Sequence, residues 1–189
     1  MEVKCLYMRL FIAINFNDAT RSRLLALRDE LRSHSERGNF SLPENLHLTL
    51  AFLSECDENQ SAAAKTVMDA VSFEPFDIQV ERVGRFRRDG GDIWWAAGKP
   101  SEAMITLQRN LTDNLIAAGF TLDKREYKPH ITLGREVVTD AAPWPIESFG
   151  ETVTAIELMK SERIGGKLTY TAIHGRGSGA YKRNQVTHS

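Results

Sequence analysis

The chain is poor in the features that hold a small secreted protein or a membrane protein together. Only two cysteines, Cys5 and Cys56, occur in 189 residues. That is too few for a disulfide framework, and their separation matches no common metal-ligand spacing, so they read as free thiols in a reducing cytosol. No apolar run approaches the roughly 20 residues of a membrane-spanning helix. The N-terminus offers Lys4 and then the short apolar stretch Leu10 to Ile14, with no small-residue cleavage site behind it. A cytoplasmic protein with neither signal peptide nor membrane span is expected, with Met1 to Tyr7 as an extension or upstream start before Met8. A dominant charge is also missing. Lys plus Arg number 24 against 25 Asp plus Glu, for a net charge of −1. Broad, non-specific coating of nucleic acid is thereby excluded, and a polyanion would have to meet a local patch. The length fits one domain, or two closely packed lobes, and a monomer is expected.

Against these absences stands one string written twice. His47-Leu48-Thr49-Leu50 and His130-Ile131-Thr132-Leu133 share a pattern 83 residues apart. One His-x-Thr carries little weight, since a chain of this composition yields about 0.3 by chance; requiring apolar residues at both flanking positions lowers that to about 0.06 per match. Two such matches call for a cause.

The surrounding pattern supports a duplication. Arg9 to Phe16 reads as a buried strand ended by Asn17-Asp18, and Leu24, Leu27 and Leu31 recur at helical spacing from about Ala19 to His34. A motif strand from Leu46 to Leu53, a helix opened by Asp57 and a strand from Phe76 to Val83 complete β-α-β-α-β. Shifting by 83 lays Arg9–Asn15 on Asp92–Gly98 and Leu24 on Leu107, while Leu27 and Leu31 fall one short of Leu111 and Leu115. A helix from about Glu102 to Ala118, closed by Gly119, and a motif strand from about Pro129 to Val137 follow. Pro143 to Pro145 reads as a link. Thr152–Lys160 and Lys167–His174 read as strands, hairpinned through Gly165-Gly166, and Gly175–Ser189 as a mobile tail. The expectation is a single bilobal α+β domain with lobes at about 9–84 and 92–174, an internal two-fold duplication rather than a solenoid.

In a strand, His47 and Thr49 share one face while Leu48 and Leu50 take the other, and His130 and Thr132 do the same. The apolar partners anchor each strand and leave two His-Thr pairs to face a cleft, each Thr beside its own histidine. Two imidazoles with ordinary pKa near 6.5 can take and give a proton at neutral pH. Such a set suits phosphodiester hydrolysis without metal: one histidine deprotonates water, the other protonates the leaving alkoxide, and hydroxyl and guanidinium donors stabilise the phosphoryl oxygens. Arg135 is a phosphate-ligand candidate, at even odds with an ordinary surface arginine.

A lone strand histidine is more often structural than catalytic; repetition in register reverses that. Zinc would need a third ligand, and neither His-Glu-x-x-His nor a cysteine pair is present. His34 and His188 receive no role, and His174 reads as surface or core. Arg82, Arg85, Arg87 and Arg88 form a run that is usually solvated, although Phe86, Trp94 and Trp95 beside it suit base stacking; core packing is the better reading for the tryptophans. Lys124, Arg125 and Lys128 form a second basic cluster, placed for phosphate approach.

Pro43-Glu44-Asn45-Leu46-His47-Leu48-Thr49-Leu50-Ala51-Phe52-Leu53 and Lys128-Pro129-His130-Ile131-Thr132-Leu133-Gly134-Arg135 resemble the two-histidine (2H) phosphoesterase superfamily, and within it the RNA 2′,3′-cyclic phosphodiesterases, also called 2′-5′ RNA ligases. The resemblance runs from about Arg9 to Tyr170, with weaker echoes in RLFIAI, Gly84-Arg85-Phe86 and Ser161 to Tyr170. It implies two antiparallel sheets facing a central active-site cleft, and hydrolysis of RNA 2′,3′-cyclic phosphate ends to 2′-phosphomonoesters. It also implies possible reversible 2′-5′ ligation, with no cofactor. By the same resemblance His47 is proton donor, His130 proton acceptor, and Thr49, Thr132 and Arg135 bind substrate. Ser54 departs from the family, which usually has Gly after Phe-Leu; lying past the strand, it should alter only a turn. The competing readings are a small cyclic phosphate as substrate, or an RNA-end binding module with little turnover.

Overall fold

Strand and helix boundaries follow from local chemistry. In the computed structural model, which describes residues 7–123 and 125–179, the first strand is β1 (Met8–Asn15). Asn17 then accepts a hydrogen bond from the Thr20 backbone N–H at 2.9 Å and opens α1 (Asp18–Ser33), satisfying a donor that a helix start leaves free. Its buried face is Thr20, Leu24, Leu27 and Leu31. After β2 (Ser35–Phe40), a single 3-10 turn at Pro43–Asn45 leads into β3 (His47–Cys56). Asp57 and Gln60 form a reciprocal capping box at the start of α2 (Glu58–Ala70). The strands β4 (Phe76–Phe86) and β5 (Asp92–Ala97) precede α3 (Glu102–Ala117), capped by Ser101 and burying Met104, Leu107, Leu111 and Leu115. Gly119, at φ 95°, takes the left-handed position after α3. The chain then runs through β6 (Ile131–Thr139), β7 (Trp144–Val153), β8 (Ala155–Ile164) and β9 (Lys167–Gly177). Gly165 and Gly166, both at positive φ, make the last hairpin turn.

This is an α+β fold in which all the recorded strand pairs are antiparallel. Two expectations need correction. The strands form one hydrogen-bonded sheet in the order β7-β4-β5-β6-β3-β1-β8-β9, with β2 also on β6, rather than two separate sheets. The halves join through one residue pair, Leu48 with Ile131. Nor do boundaries near 84 and 92 divide the sheet: β4 pairs with β5 and β7, while β8 pairs with β1. Each half therefore takes two strands from the other part of the chain, β8 and β9 beside β1 and β3, and β2 and β4 beside β6 and β5.

Two strands escaped the sequence reading. β2 (SERGNF) is too polar to show a period, and β7 starts within the proline-flanked link. Pro145 is tolerated there because β7 lies at the sheet edge, where a missing N–H costs no ladder bond on the open side. The expected tail begins inside β9, and residues 180–189 lie outside the described residues.

Leu10, Ile12 and Ile14 of β1, Leu48 and Leu50 of β3, and Ile131 and Leu133 of β6 enter the main core with the buried faces of the helices. Full burial of each such side chain contributes about 1.5–3 kcal/mol, which seats both motif strands. On the opposite face Phe11, Ala13 and Met159 form a second small cluster with Tyr170 against it. That face is the floor of an open groove.

Candidate active site

The groove is a cavity of about 1310 Å³, and His47, Thr49, His130, Thr132 and Arg135 all line it. The strands deliver them by alternation: Leu48, Leu50, Ile131 and Leu133 are buried, while the interleaved His and Thr residues are only partly so. Extending the Leu48–Ile131 register by one residue each way sets His47 opposite Thr132 and Thr49 opposite His130. The two imidazoles thus occupy diagonal corners of one four-residue patch.

Both rings are oriented by the same local device. His47 Nδ1 lies 2.7 Å from the Asn45 carbonyl oxygen, and His130 Nδ1 lies 2.7 Å from that of Lys128. A carbonyl can only accept, so Nδ1–H donates in each case and Nε2 is left to exchange the proton. His47 Nε2 sits 3.0 Å from Thr49 Oγ1. His130 Nε2 makes no hydrogen bond among the described residues, so the pairing of each Thr with its own histidine holds as a hydrogen bond at the first motif alone.

Aromatic walls fix the rings further. Phe11 lies 4.8 Å and Tyr170 5.2 Å from His47, centroid to centroid, the latter edge-on. Phe86 stands edge-on to His130 at 5.1 Å and leans on Trp95 at 5.4 Å. These walls cover part of each ring, and the burial lowers both imidazole pKa values. For His47 the Nδ1–H···O=C bond to Asn45 opposes that pull, while the Arg135 guanidinium and the His130 ring add to it. His130 is likewise lowered by burial, with its Lys128 bond opposing and Arg135 adding. The Arg135 side chain makes no ion pair or hydrogen bond among the described residues, so its charge is available to an anion in the groove.

Other candidates fall elsewhere. Arg85 braces the fold, 3.4 Å from Asp92 and stacked over Trp94, while Arg82 stacks over Trp95. Of that run only Arg88 lines the groove. Trp94 is fully buried, in keeping with core packing. In the second basic cluster Arg125 is paired with Asp123 and Lys128 lies 3.8 Å from Glu126, and neither lines the groove, while Lys124 lies outside the described residues. His174 holds Asp69 at 2.8 Å between β9 and α2. Ser54 lies inside β3, not beyond it, at φ 65° beside a register shift against β1. This is a bulge position suited to glycine. Among the described residues no group of three or more His, Cys, Asp or Glu side chains is placed to hold a metal ion, and no helix is long and apolar enough to cross a membrane.

Sequence reasoning missed Phe11, Tyr170 and the two orienting carbonyls. A strand buried on both faces was a signal for Phe11, because one of its faces had to be covered by something other than the helices.

Residues 18–164 match the family model described as the 2′-5′ RNA ligase superfamily. The RNA 2′,3′-cyclic phosphodiesterase of Archaeoglobus fulgidus is 34% identical over 151 residues, covering 76% of this chain and 85% of the relative. The Escherichia coli protein of the same description is 29% identical over 168 residues, covering 87% and 93%. Among solved structures, E. coli LigT complexed with 3′-AMP superposes with a TM-score of 0.82 at 26% identity, covering 92% of this chain and 99% of that one. With the family model spanning most of its length and a relative a third identical over three quarters of it, this chain belongs to the 2′-5′ RNA ligase superfamily.

Proposed function

We propose that this protein hydrolyses RNA 2′,3′-cyclic phosphate ends to 2′-phosphomonoesters by metal-independent, two-histidine acid–base catalysis. The observation that carries the reading is the diagonal imidazole pair, each ring locked by a backbone carbonyl so that Nε2 is the exchanging nitrogen. His130 Nε2 takes a proton from water as it attacks phosphorus; the P–O3′ bond breaks, and His47 Nε2 gives its proton to the departing O3′. Thr49, Thr132 and Arg135 hold the phosphoryl oxygens, where hydroxyl and guanidinium donors meet the charge that grows in the transition state.

The lowered imidazole pKa values suit this cycle. An empty groove favours neutral rings, and the anionic phosphate of a bound substrate favours a proton on His47. With an RNA 5′-hydroxyl in place of water, the same groups form a 2′-5′ linkage. The relatives' descriptions point to RNA, and a groove of about 1310 Å³ agrees with an oligonucleotide end.

The test is turnover of an oligoribonucleotide ending in a 2′,3′-cyclic phosphate, beside a 2′,3′-cyclic mononucleotide, in EDTA. Cleavage of the oligonucleotide at the higher kcat/KM is expected. Preference for the mononucleotide favours a small cyclic phosphate as substrate, and tight binding without turnover favours an RNA-end binding module.

A further inference from the structure

The two halves of the sheet meet over little backbone. β1 and β3 are laddered along the whole of β1, from Met8 opposite Cys56 to Asn15 opposite His47, whereas β3 and β6 share only Leu48 with Ile131. A single pair acts as a pivot, and small rotations about it would change the separation of the two Nε2 atoms. Two side-chain hydroxyls oppose such a rotation. The Tyr127 hydroxyl, in the segment leading to the second motif, donates to the Thr49 carbonyl in the first motif at 2.9 Å. The Ser41 hydroxyl, in the segment leading to the first motif, donates to the Thr132 carbonyl in the second at 2.7 Å, and the Ser41 backbone N–H bonds the Leu133 carbonyl at 2.9 Å.

We propose that Ser41 and Tyr127 are positioning residues that form a reciprocal cross-brace, each fixing the lead-in of one motif to the threonine of the other and so setting the distance between the two histidines. The inference rests on the reading of this groove as the catalytic site. Each brace lies close in sequence to a carbonyl that orients an imidazole. Tyr127 immediately precedes Lys128, whose carbonyl holds His130, and Ser41 precedes Leu42, which caps the Pro43–Asn45 turn whose Asn45 carbonyl holds His47. A connection therefore runs from His130 through Lys128 and the Tyr127 hydroxyl to Thr49, and through Thr49 Oγ1 to His47 Nε2. The Tyr127 ring packs against the main core, and burial holds its phenol well above the usual value, so it stays protonated and donating throughout the working pH range.

Tyr127→Phe keeps the ring and deletes only the donor. Because an error of about 1 Å in the placement of reacting groups costs on the order of 10²-fold, a partial slip should lower kcat about tenfold while KM stays within about twofold. Ser41→Ala should behave likewise, and the double variant should fall well short of the product of the two losses, since both bonds restrain one rotation. The histidine ring resonances of the substrate-free protein supply a second readout: the titrations of His47 and His130 should shift in either variant. Unaltered kcat together with unaltered His47 and His130 titrations, or a kcat loss that merely follows a fall in the folded fraction, would overturn the proposal. An inactive wild type would instead sink the phosphodiesterase reading, while the substrate-free titrations would still decide whether the brace exists.

Discussion

Leu48 and Ile131 face each other across the seam of the sheet, and their pairing decides where four groove side chains fall. With those two buried against the helices, His47, Thr49, His130 and Thr132 fall on the open face, among the residues that line the groove. The sheet thus does for the site what a loop-built site must do by other means: the pleat sets direction and the register sets spacing.

If the imidazoles act as acid and base, each should be worth about 10² to 10⁴ in rate. His47→Ala and His130→Ala are expected to lose at least that much in kcat while keeping the wild-type circular dichroism spectrum. Loss in only one of them would break the paired assignment.

Activity should peak on the acid side. Burial and Arg135 lower both imidazoles in the free protein, so both limbs of the kcat/KM profile against pH are displaced below the ordinary value of about 6.5. The two apparent values belong to the pair rather than to either ring. Arg135→Gln removes a cation that disfavours protonation of both rings. Its profile should therefore move upward in pH, in addition to a weaker KM from the lost phosphate contact.

The same shifts set a pH dependence of folding. A histidine whose pKa is lowered by folding binds fewer protons folded than unfolded. Its contribution is present above the unfolded value near 6.5 and is lost as pH falls through the folded value. Denaturant melts at pH 7 and pH 5 should show a stability drop that is smaller in His47→Gln and in His130→Gln than in wild type.

Ser54 gives a prediction about strain. A non-glycine residue at φ 65° carries roughly 1–2 kcal/mol of left-handed penalty, more than the ~0.4–1 kcal/mol of extra unfolded-chain entropy that a glycine brings. Ser54→Gly should raise stability by up to about 1 kcal/mol and leave kcat unchanged, as read by chemical denaturation and by turnover.

Gly84 makes the opposite case. A Cβ there would lie 2.3 Å from Trp95 Cη2, and Trp95 supports Phe86, which stands against His130. Gly84→Ala should cost about 1–3 kcal/mol by overpacking and lower kcat through the displaced wall.

Most of this site could be read from the sequence, because its logic is local. The period of two in His-x-Thr-x places polar and apolar side chains on opposite faces whatever the rest of the chain does. The helices were equally readable: Asn17, Asp57 and Ser101 cap them, and the leucine stripes of α1 and α3 bury equivalent positions. What was not readable depended on partners distant in sequence. Nothing in Phe76–Phe86 states that β4 pairs with β5 and β7, and nothing in Ala155–Ile164 states that β8 pairs with β1. β2 is a short polar segment that shows no period, and β7 begins among prolines and only partly buries Trp144, Ile146 and Phe149 before reaching Val153. Tyr170 reaches His47 only because β9 follows β8 back across β1, and the Tyr127 hydroxyl gains its meaning from a carbonyl on a different strand.

The most direct test is the identity of the product formed from a nucleoside 2′,3′-cyclic phosphate by wild type, His47→Ala and His130→Ala, followed by phosphorus NMR. The account predicts a 2′-phosphomonoester as the wild-type product, with its formation nearly abolished in both variants. A 3′-phosphomonoester would contradict it, because the leaving oxygen, and with it the donor and acceptor roles given to His47 and His130, would be reversed.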